Sequence, residues 1–307
     1  MGDLPAPGVI SCLVCGSDRA SRLDLNGGRL PLYRCPDCRV VHWGHVWGSE
    51  KVVQYYHNYY AKKRPEYDPV TEKRYHAILD RFERMTRPGR LLDVGCGMGH
   101  FLAVAESRGW EAVGLEVSGS GLQLLARFKA EQGWRFKVHG EDLLGSDFPS
   151  ASFRAVTMFE VLEHLVDPMA NLRKVYTLLE QGGTLYLTTP NFDSLSRYAL
   201  AGRWRAITPE HLYLFNPRTL GTCLDAAGFH PVRILTKNVD VPEIVTKWRR
   251  RRQPYEPANT FPTTRAFRRI IEDSLWLRWL KAWANAALRL SRLGETIEAL
   301  AVKRSMA

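Results

Sequence analysis

Four of the six cysteines fall in two pairs, Cys12 with Cys15 and Cys35 with Cys38, nineteen residues apart. Two cysteines separated by two residues fit one tight knuckle and can aim two thiolates at a common ion. Two such knuckles supply the four sulfur ligands of a closed tetrahedral zinc site. A closed site has no open coordination position, so its role is structural. Gly16 and Pro36-Asp37 supply turn chemistry at the knuckles. Disulfide or redox use of the same pairs is the alternative, and a reducing compartment disfavours a disulfide. His42 and His45 follow closely. Four cysteines already saturate zinc, so both histidines read as ordinary polar residues.

A second constellation is Asp93-Val94-Gly95-Cys96-Gly97-Met98-Gly99. Glycines at this spacing let the backbone turn sharply and approach a bound cofactor. A dinucleotide fingerprint needs its third glycine at position 100, which is His100. The departure speaks for a nucleoside without a pyrophosphate. Glu116 lies twenty-one residues beyond Gly95, where a carboxylate can accept both ribose hydroxyls, and Asp142 follows where it can reach an adenine amino group. Glycine-rich packing with no ligand is the plainer use of the same turn.

The third constellation is Glu160-Val161-Leu162-Glu163-His164, with His211 later in the chain. Spacings of three and four put Glu160, Glu163 and His164 on one face of an α-helix. Two carboxylates and two imidazoles can hold Mg²⁺ or Mn²⁺. Without metal, His164 or His211 can act as general base. A capped helix with one packed histidine is the structural alternative.

The elements that must position these groups alternate. Leu91–Val94 reads as a buried strand running into the glycine turn, followed by a helix with Phe101, Leu102, Val104 and Ala105. Further strands are expected at 111–116, 134–139, 155–159, 184–189 and 232–235, with helices at 119–130 and 160–179. Asn216-Pro217 is an N-cap and first-turn pair, and Gly228 closes that helix. Such alternation gives a parallel sheet with helices on both faces. The aromatic run Tyr55-Tyr56-His57-Asn58-Tyr59-Tyr60 is expected either to flap over a pocket or to pack the cysteine segment.

The 307 residues have globular proportions, 45% hydrophobic and 24% charged. Neither a secretory signal nor an apolar stretch of spanning length is visible, and the expectation is a cytoplasmic protein. The net charge of +11 is uneven: residues 1–64 carry nine basic and five acidic residues, 65–237 carry twenty of each, and 238–307 fourteen and seven. The densest run is Lys247-Trp248-Arg249-Arg250-Arg251-Arg252. It suits nucleic acid, anionic lipid or an acidic glycan, or is a solvated loop.

Leu91–Leu102 with Glu116, Phe153–Leu165, Gly182–Asn191 and Pro209–Leu220 together resemble the class I S-adenosylmethionine-dependent methyltransferases. The branch is that of ubiquinone-pathway, glycan and natural-product O-methyltransferases, some of which carry an N-terminal zinc ribbon. The resemblance covers roughly residues 72–237. Arg154 departs from the usual Asp, and Glu116 from the commoner Asp. It implies S-adenosylmethionine held by Asp93, Gly95, Cys96, Gly97, Gly99, Glu116, Asp142, Leu143 and Phe159. It also implies a Rossmann-like seven-stranded α/β sheet whose last strand, beside the sixth, is best matched by about 296–303. The expected organisation is then 1–64 zinc ribbon and aromatic linker, 65–237 methyltransferase core, 238–294 a basic insertion and 295–307 the final strand. The insertion is loop-rich at first, with an amphipathic helix at 264–292 suited to packing, a dimer partner or a membrane surface. The E-x-x-E-H pattern with a later His resembles the metal site of small-RNA 2′-O-methyltransferases. The function expected is O-methylation of a small molecule or glycan, with a divalent cation or without. RNA methylation, sugar C-methylation and a non-catalytic cofactor-binding scaffold are the rivals.

Overall fold

The computed structural model describes residues 11–12, 14–25, 31–44, 47–61, 69–249 and 274–304. His45, Arg250–Arg252 and the first part of the expected 264–292 helix lie outside the described residues. In chain order the elements are β1 (Ser21–Arg22), β2 (Leu32–Arg34), β3 (Val41–Trp43), α1 (Ser49–Ala61), α2 (Pro69–Glu83), β4 (Arg90–Val94), α3 (His100–Ser107), β5 (Glu111–Leu115), α4 (Gly119–Gln132) and β6 (Lys137–His139). They continue as β7 (Phe153–Phe159), α5 (Pro168–Leu178), β8 (Leu179–Pro190), α6 (Leu195–Leu200), β9 (Tyr213–Leu214), α7 (Pro217–Ala226), β10 (Phe229–Lys237), α8 (Val241–Arg249), α9 (Leu275–Ser291) and β11 (Thr296–Lys303).

Seven strands form one sheet in the order β10-β11-β8-β7-β4-β5-β6. β4 pairs in parallel with β5 and β7, β5 with β6, and β7 with β8. Central parallel strands are covered on both faces and must be apolar throughout. Leu91, Leu92, Ala155, Val156, Leu185 and Leu187 are accordingly fully buried. β11 covers the expected span and inserts beside β10, as anticipated.

The chain divides into two compact units. The second unit comprises residues 47–188, 221–233 and 299–307. Its core gathers Leu79, Phe82, Phe101, Leu102, Trp110, Tyr186 and Leu300. The first unit comprises residues 1–46, 189–220 and 234–298. There β1-β2-β3-β9 form a four-stranded sheet, with β3 antiparallel to β9. Leu32, Val41, Phe192, Trp204, Ile207 and Leu214 make its core. The Thr219 hydroxyl donates to the Cys38 carbonyl at 2.9 Å, tying a cysteine knuckle to the same core.

The loop-rich reading of the insertion needs correction at its start. α8 is a helix because Asp240 caps it, its Oδ1 accepting from the Glu243 N–H at 2.9 Å. Pro242 then falls in the first turn, where its missing N–H costs nothing.

Candidate active site

All residues described next, unless stated otherwise, belong to the second unit. Asp93 near the end of β4 is 2% exposed, and the Thr157 hydroxyl on β7 donates to its Oδ1 at 2.7 Å. Burial pushes the Asp93 carboxyl up to about 7; the Thr157 bond opposes this and the charge of Glu116 adds to it.

The turn after β4 holds Gly95 at φ 68° and Gly97 at φ 54°. A Cβ at Gly95 would lie 2.7 Å from Val161 Cγ2, and one at Gly97 2.9 Å from the Tyr60 hydroxyl. Conformation and space therefore both exclude a side chain there. A Cβ at Gly99 would meet Phe136 and Leu125, so that glycine serves packing at the start of α3. The Cys96 side chain joins the core beside Gly114, and its backbone N–H donates to the Leu115 carbonyl while its carbonyl accepts from Gly99 N–H, which fixes the turn.

Glu116 follows β5 and is 5% exposed. Its Oε2 accepts from Gly97 N–H at 3.1 Å and its Oε1 from Ser118 N–H at 2.8 Å. A carboxylate offers about four acceptor positions, so capacity remains for a ligand hydroxyl. Burial raises its pKa, against the pull of the backbone N–H groups of Ser118, Gly97 and Val117. Asp142 is oriented by Gly145 N–H, which donates to its Oδ1 at 2.6 Å.

A cavity of about 180 Å³, partly open to solvent, lies along this carboxyl edge of the strands. Gly95, Glu116, Asp142, Leu143, Phe159, Glu160 and His164 line it. Asp93, Cys96, Gly97 and Gly99 do not, and act behind the wall. Sequence reasoning did not assign Val52, Tyr56 and Tyr60 of α1, which also line it. The signal was the aromatic run at 55–60, whose flap reading this placement favours. α1 rests on the start of α4: the Ser120 hydroxyl donates to the His57 carbonyl at 2.6 Å. Burial, and then the charge of Glu116, push the Tyr60 phenol up, so it stays protonated.

The expected α-helix from Glu160 is not there. Glu160 has φ 54°, residues Leu162–His164 form a single 3-10 turn, and α5 starts only at Pro168 behind the Asp167 N-cap. Its side-chain oxygen accepts from Ala170 N–H at 2.8 Å. Glu160 is exposed, whereas Glu163 is fully buried and His164 is 9% exposed. The three do not share a helix face. His164 Nε2 lies 4.0 Å from Glu163 Oε1, and the Tyr56 ring meets the imidazole edge-on at 5.3 Å. His211 belongs to the first unit. Its Nδ1 lies 2.8 Å from the Ala206 carbonyl, so Nδ1 carries the proton and Nε2 the lone pair. Burial lowers its pKa, and the ring is neutral near pH 7.

In the first unit the sulfurs of Cys12, Cys15, Cys35 and Cys38 lie within 4.8 Å of one another. Cys12 and Cys38 are 3.6 Å apart, and Cys15 and Cys35 3.5 Å. Zinc–sulfur bonds of about 2.3 Å place tetrahedral sulfurs at close to this spacing. The knuckles repeat one design: Gly16 N–H donates to the Cys12 carbonyl, and Arg39 N–H to that of Cys35. Gly16 and Arg39 are both left-handed, at φ 74° and 63°. His42, buried at 1% exposure, has its Nδ1 2.9 Å from the Trp43 carbonyl, in keeping with a structural residue. Asp240, Glu243 and Glu295 also cluster, but Arg205 and Lys247 balance them.

The methyltransferase domain family matches residues 67–234. The ubiquinone biosynthesis O-methyltransferase of Xanthomonas campestris is 34% identical over 111 residues, covering 35% of this chain and 46% of that protein. That of Chromobacterium violaceum is 30% identical over 131 residues, 42% of this chain and 54% of the other. The chain thus matches about half the length of these relatives. Among solved structures, Haemonchus contortus phosphoethanolamine N-methyltransferase 2 with S-adenosyl-L-methionine has TM-score 0.52 at 22% identity, covering 76% of this chain and 53% of that one. The cyclase SpnF has TM-score 0.54 at 20% identity, covering 85% and 98%. These likenesses establish the fold, and a cyclase among them shows that the fold alone does not set the reaction. With the family matched over more than half its length and the glycine turn, Glu116 and Asp142 in place along the sheet edge, the chain belongs to the class I S-adenosylmethionine-dependent methyltransferases.

Proposed function

We propose that this protein methylates a hydroxyl oxygen on a small molecule or glycan. The observation that carries the reading is His164 on the cavity wall, beside the buried Glu163 carboxylate, at the edge where the donor is held. The names of the curated relatives favour oxygen as the acceptor atom. When bound, S-adenosylmethionine supplies an electrophilic methyl group on sulfur.

The residues present fit that cofactor. The glycine turn brings backbone to the cavity wall at Gly95, and Glu116 on the same wall keeps acceptor capacity for the ribose hydroxyls. Asp142 and Leu143 hold the adenine, with Phe159 as apolar wall. Asp93, behind the turn, supplies negative charge towards the methionine ammonium. The acceptor hydroxyl must lose its proton as oxygen attacks. The His164 imidazole takes that proton, and the neighbouring Glu163 carboxylate stabilises the resulting imidazolium. Alignment of donor and acceptor in the cavity supplies the rest of the rate. Methyl-labelled S-adenosylmethionine with a panel of phenols, catechols and sugars tests this. Label in methyl ethers is expected, and label on nitrogen or carbon would overturn it.

A cation-assisted version would use Mg²⁺ or Mn²⁺. Of the expected ligand set, the second unit brings Glu163 and His164 side by side, one carboxylate and one imidazole, with Glu160 exposed and off their face. Turnover is therefore expected to survive EDTA. Loss of turnover in EDTA, restored by Mg²⁺ or Mn²⁺ with cofactor binding unchanged, would establish the metal version.

The four cysteines are proposed to hold one structural zinc. Elemental analysis of protein purified without added metal should find one zinc per chain, and Cys35→Ser should lose it along with order in the ribbon. A Cys35→Ser protein with full zinc would contradict the assignment.

Cofactor affinity should depend on pH through Asp93. With its carboxyl at about 7, Asp93 gains charge across neutrality, so affinity for the cationic methionine end should rise from pH 6 to pH 8 and then level. In the free protein the sign reverses. A carboxyl raised above its ordinary value contributes stability that is full below about pH 4 and lost as pH rises through about 7. Titration calorimetry across this range should show the affinity rise in wild type and a flat profile in Asp93→Asn. A flat wild-type profile would remove Asp93 from that role.

A further inference from the structure

We infer that α9 docks the protein on an anionic phospholipid surface. Trp276, Trp279 and Trp283 are 66%, 70% and 72% exposed, and Leu290 is 88% exposed. At about 100° per residue these four fall within a sector of about 60°. Leu288 and Asn285 lie roughly opposite, and they fasten the helix. Leu288 is buried, its carbonyl accepting from the Thr236 hydroxyl at 2.8 Å, while Asn285 Oδ1 accepts from Asn238 N–H at 2.9 Å. The C-terminal end is held again by Asn191, whose side-chain amide donates to the carbonyls of Arg292 and Gly294. One face of the helix is thus fixed and the other presents three indoles outward.

A soluble surface rarely exposes so much aromatic area on one stripe without a partner. The charge selects that partner. α9 carries Arg278, Lys281 and Arg289 and no acidic residue, and residues 249–292 hold eleven basic and three acidic residues. A second copy of this helix would bring like charges together. An anionic bilayer attracts them, and indole rings settle at headgroup depth. No described helix is long and apolar enough to cross a membrane, so α9 would lie in the interface plane.

Sedimentation with phosphatidylcholine vesicles, with and without phosphatidylglycerol, tests the inference on the full chain. Wild type should co-sediment with the anionic vesicles only, with a blue shift in tryptophan emission, and should release as salt rises. Combining Trp276→Ser, Trp279→Ser and Trp283→Ser should weaken vesicle binding tenfold or more and leave S-adenosylmethionine affinity unchanged. Wild type that ignores anionic vesicles, or a triple variant that binds them as tightly, overturns the inference. Self-association lost in the triple variant, with no vesicle binding by wild type, would assign the face to a second copy instead.

Discussion

His164→Ala is expected to lower kcat by about a hundredfold or more while leaving cofactor affinity within about twofold, the scale on which a general base acts. The imidazole lies on the cavity wall with Glu163 at 4.0 Å and Tyr56 edge-on at 5.3 Å, so the ring is held on two sides. Removing it deprives the acceptor hydroxyl of a proton sink and leaves the Glu163 carboxylate beside an empty volume. His164→Gln controls for that volume: it fills the space, cannot take the proton, and should be as slow as the alanine variant. Added imidazole should restore part of the alanine variant's rate and none of the glutamine variant's. A His164→Gln enzyme with wild-type kcat would move the base elsewhere. His211→Ala, measured alongside, then shows whether the first unit's histidine supplies it.

Glu116→Ala is expected to weaken S-adenosylmethionine binding by roughly ten- to a hundredfold. Charge-assisted hydrogen bonds to two hydroxyls contribute about 1.5–3 kcal/mol. The same carboxylate satisfies the N–H groups of Gly97 and Ser118, so its loss also loosens the glycine turn. Glu116→Gln separates the two effects. An amide keeps one acceptor oxygen and the side-chain volume, so the turn should hold while affinity falls by an intermediate amount. Unchanged affinity in Glu116→Ala would remove the residue from the cofactor site.

The parts of this account that were legible in the sequence are those where residue type and spacing have one physical use. Asp93 to Gly99 reads as a strand-to-helix turn because a side chain at Gly95 or Gly97 has neither the conformation nor the room. The four cysteines read directly as two knuckles. Thr296–Lys303 was recognisable as the last strand because its apolar positions suit a sheet and nothing at 238–250 does.

The misread helix at Glu160 shows where spacing misleads. Positions 160, 163 and 164 suit a helix face, but one left-handed residue redirects the chain, and Asp167-Pro168 starts the real helix. That pair is the same N-cap and first-turn signal that Asn216-Pro217 gave for α7. Tyr60 was out of reach for another reason. Its hydroxyl meets the glycine turn some thirty-five residues further along the chain, a pairing that no local pattern encodes. The bond from Thr157 to Asp93 is likewise a cross-strand contact, fixed by the register of β4 on β7.

Titration calorimetry of the full chain with S-adenosylmethionine tests the central claim most directly. The account predicts one site per chain, occupied by S-adenosylmethionine and by S-adenosylhomocysteine, and lost or sharply weakened in Gly95→Val, whose side chain would need space that Val161 fills. No binding by a wild-type protein whose circular dichroism shows it folded, or binding that Gly95→Val leaves unchanged, would contradict it.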